Sequence, residues 1–186
     1  LNQATLELKK LDERFENLKK IQKVFLNCHF NSLNTNNLFE ELTSNKKIDF
    51  SRYKYFYASY TANLGKTNKA KEILNSALKL HPRNLLLNQY KLDLNLGKNN
   101  SSFDCKNREH VIAEILYVTS NALSSQSIYP LSDFYLNLAK YLNKDFHSYE
   151  TLLAENFYNV DNFEEAKKVY NRLGKKGKAF QWYSSK

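Results

Sequence analysis

Four histidines and two cysteines could ligate a metal or attack an electrophile: His29, His81, His110, His147, Cys28 and Cys105. Metal capture on a helix needs two ligands one turn apart on the same side, and zinc knuckles need a CxxC step. Neither spacing occurs in this sequence. Cys28 and His29 are neighbours, but adjacent helical side chains diverge by about 100° and cannot form the hydrogen bond of a nucleophile–base dyad. No catalytic residue, metal site or cofactor is expected. The two cysteines lie far apart and match neither a zinc site nor a disulfide scaffold, so free, mostly inert thiols are expected.

Charge is the second source of chemistry. A formal charge of +9 and a pI near 9.4 would draw nucleic acid, anionic lipid or acidic proteins without choosing among them. A composition rich in Lys and Asn is also what a coding bias produces. The densest basic run, Lys167, Lys168, Arg172, Lys175, Lys176 and Lys178, could contact phosphate, but it equally describes the solvated face and C-terminal turn of a helix. Glu164 and Glu165 precede it, where carboxylates favour the positive end of a helix dipole.

The elements that must hold these residues are helical. Four Gly and two Pro against 42% hydrophobic residues disfavour a turn-rich β-sandwich and favour long helices with short connections. Leu8, Leu11, Phe15, Leu18, Ile21 and Phe25 recur at helical spacing, predicting one or two helices over 6–30. A polar connection over 31–37 follows, then a short helix over 38–43 capped by Asn36 or Asn37, with Phe25, Leu26, Leu38 and Leu42 packing as a hairpin. The stretch 43–50 is the next connection. LLLNQYKLDLNLG predicts a helix over 85–96 stopped by Gly97, and polar, turn-forming KNNSSFDCKN occupies 98–107 where a second helix would stand.

One stretch carries a recognisable register. From Ser51 to Asn84 the sequence has Ala58, Gly65, Ala70, Leu74, Ala77 and Pro82. Small residues fall where two helices of a hairpin must approach closely, Gly in the turn, and Pro after the second helix. This resembles the tetratricopeptide (TPR) repeat. Lys54 and Thr61 depart from it, with Tyr53, Tyr55, Phe56 and Tyr57 supplying bulk nearby. The register recurs weakly at 113–146 through Leu116, Ser120, Leu123, Ser132, Leu136 and Ala139, with Pro130 opening a second helix. It is clear again at 147–180 through Leu153, Ala154, Phe157, Ala166 and Tyr170, with Asp161 and Asn162 in the turn and Gly174 and Gly177 at the helix end.

The resemblance implies an all-α fold, a right-handed α-solenoid of antiparallel helix pairs in a single domain over 1–186. Its repeats would be 19–50 (degenerate), 51–84 (clear), 85–112 (shortened), 113–146 (weak) and 147–180 (clear), with 181–186 starting a further helix. It implies a scaffold that binds a peptide or protein segment in the concave groove lined by first helices, and no enzyme activity. The exposed first-helix positions carry over to Arg52, Tyr55, Ser59 and Ala62, to Glu114, Tyr117, Asn121 and Ser124, and to Ser148, Thr151, Glu155 and Tyr158. This set lacks the Lys, Asn and Arg clamp of chaperone-binding relatives. The alternative is a helical repeat that binds nucleic acid through its basic surface and its 13 Tyr and 12 Phe.

The chain resembles the tandem-TPR proteins of bacteria, many of which work at the envelope, so a cytoplasmic and a periplasmic location are both open. No run of roughly 18 apolar residues and no signal-peptide form are present, so a soluble segment is expected. The start at Leu1 and the absence of Met predict a piece of a longer array.

Overall fold

The computed structural model describes residues 1–44, 51–99 and 101–185; most of the connection expected over 43–50, together with Asn100 and Lys186, lies outside the described residues. Among those described there are ten α-helices, two 3-10 segments and no strand. The helices are α1 (Asn2–Lys9), α2 (Glu16–His29), α3 (Thr35–Ser44), α4 (Ser51–Asn63), α5 (Thr67–Leu80), α6 (Leu85–Asn95), α7 (Arg108–Ser124), α8 (Tyr129–Leu142), α9 (Ser148–Asn159) and α10 (Phe163–Gly174). A 3-10 turn at Glu13–Phe15 precedes α2, and a 3-10 helix at Ala179–Ser185 follows α10.

The repeat is most visible in its turns. Asn31, Gly65, Gly97, Ser127 and Asp161 are the described residues with left-handed backbone, each just past a helix and 30 to 34 residues from the next. At each, the following N–H bonds back to a helix carbonyl: Ser32 to Asn27, Lys66 to Thr61, Lys98 to Asp93, Ile128 to Leu123 and Asn162 to Phe157, all at 2.8–3.2 Å. This is the Schellman ending, which satisfies otherwise orphaned carbonyls and turns the chain back on itself. Four of these turns lead into a second helix: α3, α5, α8 and α10. After Gly97 the turn forms, but among the described residues no helix follows before α7; residues 101–107 form an irregular strap that ends at Asn107, whose side chain accepts the Glu109 and His110 N–H groups and caps α7.

Small residues sit where the helices cross. Ala58, Ala70, Ala77, Ala113, Ala139 and Ala154 have no solvent exposure. Ser120 and Ser132 are equally buried and replace alanine by bonding each other, Ser120 Oγ donating to the Ser132 carbonyl at 2.8 Å. Asn156 of α9 closes this polar crossing by donating to Ser132 Oγ at 2.8 Å and Asp133 Oδ1 at 2.7 Å, while accepting from Ser124 Oγ at 2.6 Å. A fully partnered network of this kind fixes the register of three helices, where an unpartnered one would cost stability.

Three expected boundaries move. The helix expected over 38–43 begins at Thr35, whose hydroxyl bonds the Ser32 carbonyl at 2.7 Å, so Asn36 and Asn37 lie in its first turn and are not its caps. α7 begins at Arg108, inside the span assigned to the shortened unit, because the Asn107 cap comes before the apolar periodicity starts. The helix expected to open near 181 is a 3-10 segment from Ala179.

Packing follows chain order in two runs, α2 through α6 and α7 through α10. The 3-10 helix Ala179–Ser185 then lies on both α10 and α6. Gln89 of α6 accepts the Ala179 N–H at 2.9 Å, so the end of the second run docks onto the end of the first.

Candidate functional site

The first-helix face proposed from sequence is brought together in one place, but much of it is closed. Arg52 of α4 donates to both oxygens of Glu114 on α7, at 2.7 and 2.6 Å, and a third hydrogen bond reaches Ser148 at the start of α9. Its guanidinium lies 3.7 Å from the centre of the Tyr117 ring and 4.7 Å from that of Phe146, a cation–π arrangement favoured when desolvated. Glu114 has no exposure and Arg52 little. Burial opposes the Arg52 charge, but the Glu114 carboxylate outweighs it and keeps the guanidinium firmly protonated. Burial also pushes the Glu114 carboxyl above its ordinary range, with Arg52 pulling the other way.

Tyr55 and Ser59, expected in an open groove, are buried at 2% and 1% exposure. The reason is the strap. The Tyr55 hydroxyl accepts the Ser102 N–H at 3.2 Å, and Ser59 Oγ bonds Ser101 and donates to the Phe103 carbonyl at 3.1 Å. Phe103 inserts among Phe56, Phe25 and Phe146, at ring distances of 4.0, 5.3 and 6.2 Å. The strap thus covers the α4 residues that were expected to line an open groove.

A disulfide fastens it. Cys105 is bonded to Cys28 of α2, with Cα atoms 5.8 Å apart, inside the range that bridging requires. The expectation of two free thiols is corrected: sequence separation hid the pair because the strap returns across α4 to reach α2. His110 adds a further tie, its Nδ1 accepting the Asp104 N–H at 3.0 Å. Burial lowers the His110 pKa, against the nearby carboxylates Asp104, Glu109 and Asp145.

What stays open lies further along. Asn121, Glu155 and Tyr158 are exposed, and Thr151 is half-buried within 3.3 Å of the Tyr183 hydroxyl. Glu155 and Tyr158 line a cleft of about 700 Å³ between α9 and α10, completed by Asn159, Phe163, Ala166, Lys167 and Tyr170. Tyr158 and Phe163 are 59% and 52% exposed and meet edge to face at 5.3 Å. Burial raises the Tyr170 hydroxyl to about 12, so it stays a neutral donor in the cleft wall. Phe163 was not among the residues picked from sequence, and Tyr170 was picked only as a register position and not for the groove; a bulky apolar side chain at the exposed first position of a helix was the signal for Phe163.

The basic run is dispersed. Lys168 pairs with Glu165 at 2.7 Å and Arg172 with Glu150 at 2.6 Å. Lys167 borders the cleft, Lys175 is exposed at the C-cap of α10, and Lys176 lines a separate cavity of about 380 Å³ with Tyr55, Asp93 and Asp145. Among the described residues no group of three His, Cys, Asp or Glu could hold a metal, and no helix is long and apolar enough to cross a membrane. No family model matches the chain, and no curated protein or solved structure matches it.

Proposed function

We propose that this chain is a TPR-like helical-repeat scaffold that binds a protein segment, and that binding takes place in the α9–α10 cleft. The reading rests on one observation: Tyr158 and Phe163 stand more than half exposed in a cleft of about 700 Å³, within the usual range for ligand sites of about 300–1,000 Å³. Aromatic rings of this kind carry much of the energy at protein interfaces, because they bury a large area with few rotors to fix. Glu155 and Lys167 add one charge of each sign. The fitting occupant is an extended or helical peptide that lays an apolar side chain against the two rings and carries both charges beside it.

Panning a random peptide display library against the protein tests this. Enriched peptides should lose at least tenfold in affinity on Tyr158→Ala combined with Phe163→Ala; no enrichment, or peptides indifferent to that change, refutes the cleft. The nucleic-acid alternative finds less support, because Lys168 and Arg172 are committed to carboxylates. Location enters the same proposal. Disulfides persist in oxidising compartments, so Cys28–Cys105 favours the bacterial envelope over the cytoplasm, to be checked by thiol labelling of protein taken directly from cells.

A further inference from the structure

Two histidines hold the end of the strap, and they hold it in opposite senses. His29 of α2 has its Nδ1 3.0 Å from the Lys106 carbonyl. A carbonyl oxygen only accepts, so this nitrogen carries a proton, which it does in one neutral tautomer and in the charged ring alike. His110 of α7 has its Nδ1 3.0 Å from the Asp104 backbone nitrogen. An N–H only donates, so this nitrogen is bare, and the bond exists only while the ring is neutral. Acid therefore spares the first tie and breaks the second.

The surroundings keep His110 neutral at rest. It stands in the first turn of α7, just after the Asn107 cap, where the positive end of the helix dipole opposes a further positive charge. Burial beside the Phe103 ring, 6.1 Å away, opposes it as well. The carboxylates acting on the ring are Asp104 of the strap, Glu109 of its own helix and Asp145 of the connection between α8 and α9. Glu109 is shared with Arg108 at 3.8 Å, and the Arg108 and Lys106 side chains are exposed. The carboxylates favour the charged ring, but burial prevails and holds the pKa below the ordinary 6.5. A proton on Nδ1 would face the Asp104 N–H donor to donor, while the carboxylates offer the charged ring other partners. His110 thus has partners in both states: a backbone N–H when neutral, carboxylates when charged.

We propose that His110 is an acid-sensitive latch on the strap: protonation of its ring releases the Asp104 N–H and frees the turn 104–107 from α7, leaving the strap held by Cys28–Cys105 and His29. That turn directly follows Ser101, Ser102 and Phe103, which cover Tyr55 and Ser59, so its release loosens the cover over the α4 face. The folded ring binds its proton less tightly than the unfolded one. The latch therefore contributes stability that is fully present above 6.5 and is lost as pH falls through the lower folded value.

Nuclear magnetic resonance on the intact chain tests this. The Asp104 amide shift should titrate with the same midpoint as the His110 ring, below 6.5. Asn Oδ1 stands where Nδ1 does and accepts at any pH, so His110→Asn should hold the Asp104 N–H throughout, and His110→Ala should leave it open throughout. Hydrogen exchange at Asp104 in the native chain, taken relative to His110→Asn at each pH, should quicken by roughly fivefold to tenfold between about pH 7.5 and about pH 5, the equivalent of one hydrogen bond. An Asp104 amide that does not follow the His110 ring overturns the proposal. So does a pH response that persists in His110→Asn, which would place the titrating group on Asp104, Glu109 or Asp145.

Discussion

Arg52 and Glu114 form a two-pronged ion pair between the first helices of two hairpins, with bonds of 2.7 and 2.6 Å and a carboxylate wholly out of contact with solvent. Sequence placed both at the second position of their repeats, where a groove-lining role was expected. They serve instead as a clamp between the two halves of the chain.

Removing one partner leaves the other charged and buried. Arg52→Met should therefore destabilise the fold by about 3–5 kcal/mol, whereas Arg52→Met with Glu114→Leu should recover most of that loss, because the double variant leaves no uncompensated charge in the interior. Urea unfolding of the three proteins checks it. Equal losses in the single and double variants would show that aromatic packing around Arg52, not the ion pair, holds this junction.

The disulfide should strengthen the fold without being needed to form it. Its cysteines are separated by 77 residues, and closing a long loop typically contributes about 2–4 kcal/mol by restricting the unfolded chain. Phe103, 2% exposed among three other Phe rings, should keep the strap seated after reduction. Thermal unfolding with and without a reductant should show a lower Tm and an unchanged helical spectrum at 25 °C. Loss of structure on reduction alone would show that the strap depends on the covalent tie.

Much of the hairpin skeleton was legible because it depends on local chemistry. Gly65 and Gly97 mark turns that require a left-handed residue, Pro82 and Pro130 sit at helix boundaries, and Ala58, Ala70 and Ala77 mark close crossings; each reveals itself within one turn of chain. Asn31 and Ser127 do the same job as Gly65 without glycine to announce it, and the first and fourth hairpins read as weak, whereas Asp161 beside Asn162 was legible as a turn. The strap was illegible for a different reason. Ser101, Ser102 and Asp104 look like surface residues, and nothing local to Phe103 or Cys105 says that they return across α4 and pack there. Burial of Tyr55 and Ser59 follows from that long-range contact, so of the positions inferred from the repeat register Asn121, Glu155 and Tyr158 stay exposed.

Gly177 is required by what lies beside it. A Cβ there would collide with the side-chain amide of Gln89, which is not free to move, since it accepts the Ala179 N–H and donates to Asp93 Oδ1 at 3.0 Å. Gly177→Ala should cost about 1–3 kcal/mol, the usual range for overpacking, and loosen the contact of the 3-10 helix with α6. Trp182, the one tryptophan of the chain, lies in that helix, so its fluorescence reports the change. Unaltered emission and stability would mean that Gln89 re-pairs at no cost.

Glu150 makes the fold sensitive to acid. Its carboxylate is 6% exposed and lies 2.8 Å from Lys140 Nζ and 2.6 Å from an Arg172 nitrogen, with the His147 ring at 3.4 Å. Burial alone would raise its pKa, but His147, Lys140 and Arg172 together hold it down at about 2. A carboxyl whose pKa is lower folded than unfolded contributes stability that is fully present above the unfolded value, near 4.5. That contribution is lost as pH falls toward 2. The full shift corresponds to roughly 3 kcal/mol, and screening of the partly exposed Lys140 and Arg172 reduces this to on the order of 2 kcal/mol. Glu150→Gln should accordingly be less stable than the native chain by that amount at pH 7, with the difference shrinking between pH 4.5 and 2 as the native carboxylate takes up its proton. Denaturant unfolding of both proteins across that interval measures it. A gap that stays constant with pH would assign the loss to packing and not to charge, and would leave the α8–α9–α10 junction without its electrostatic account.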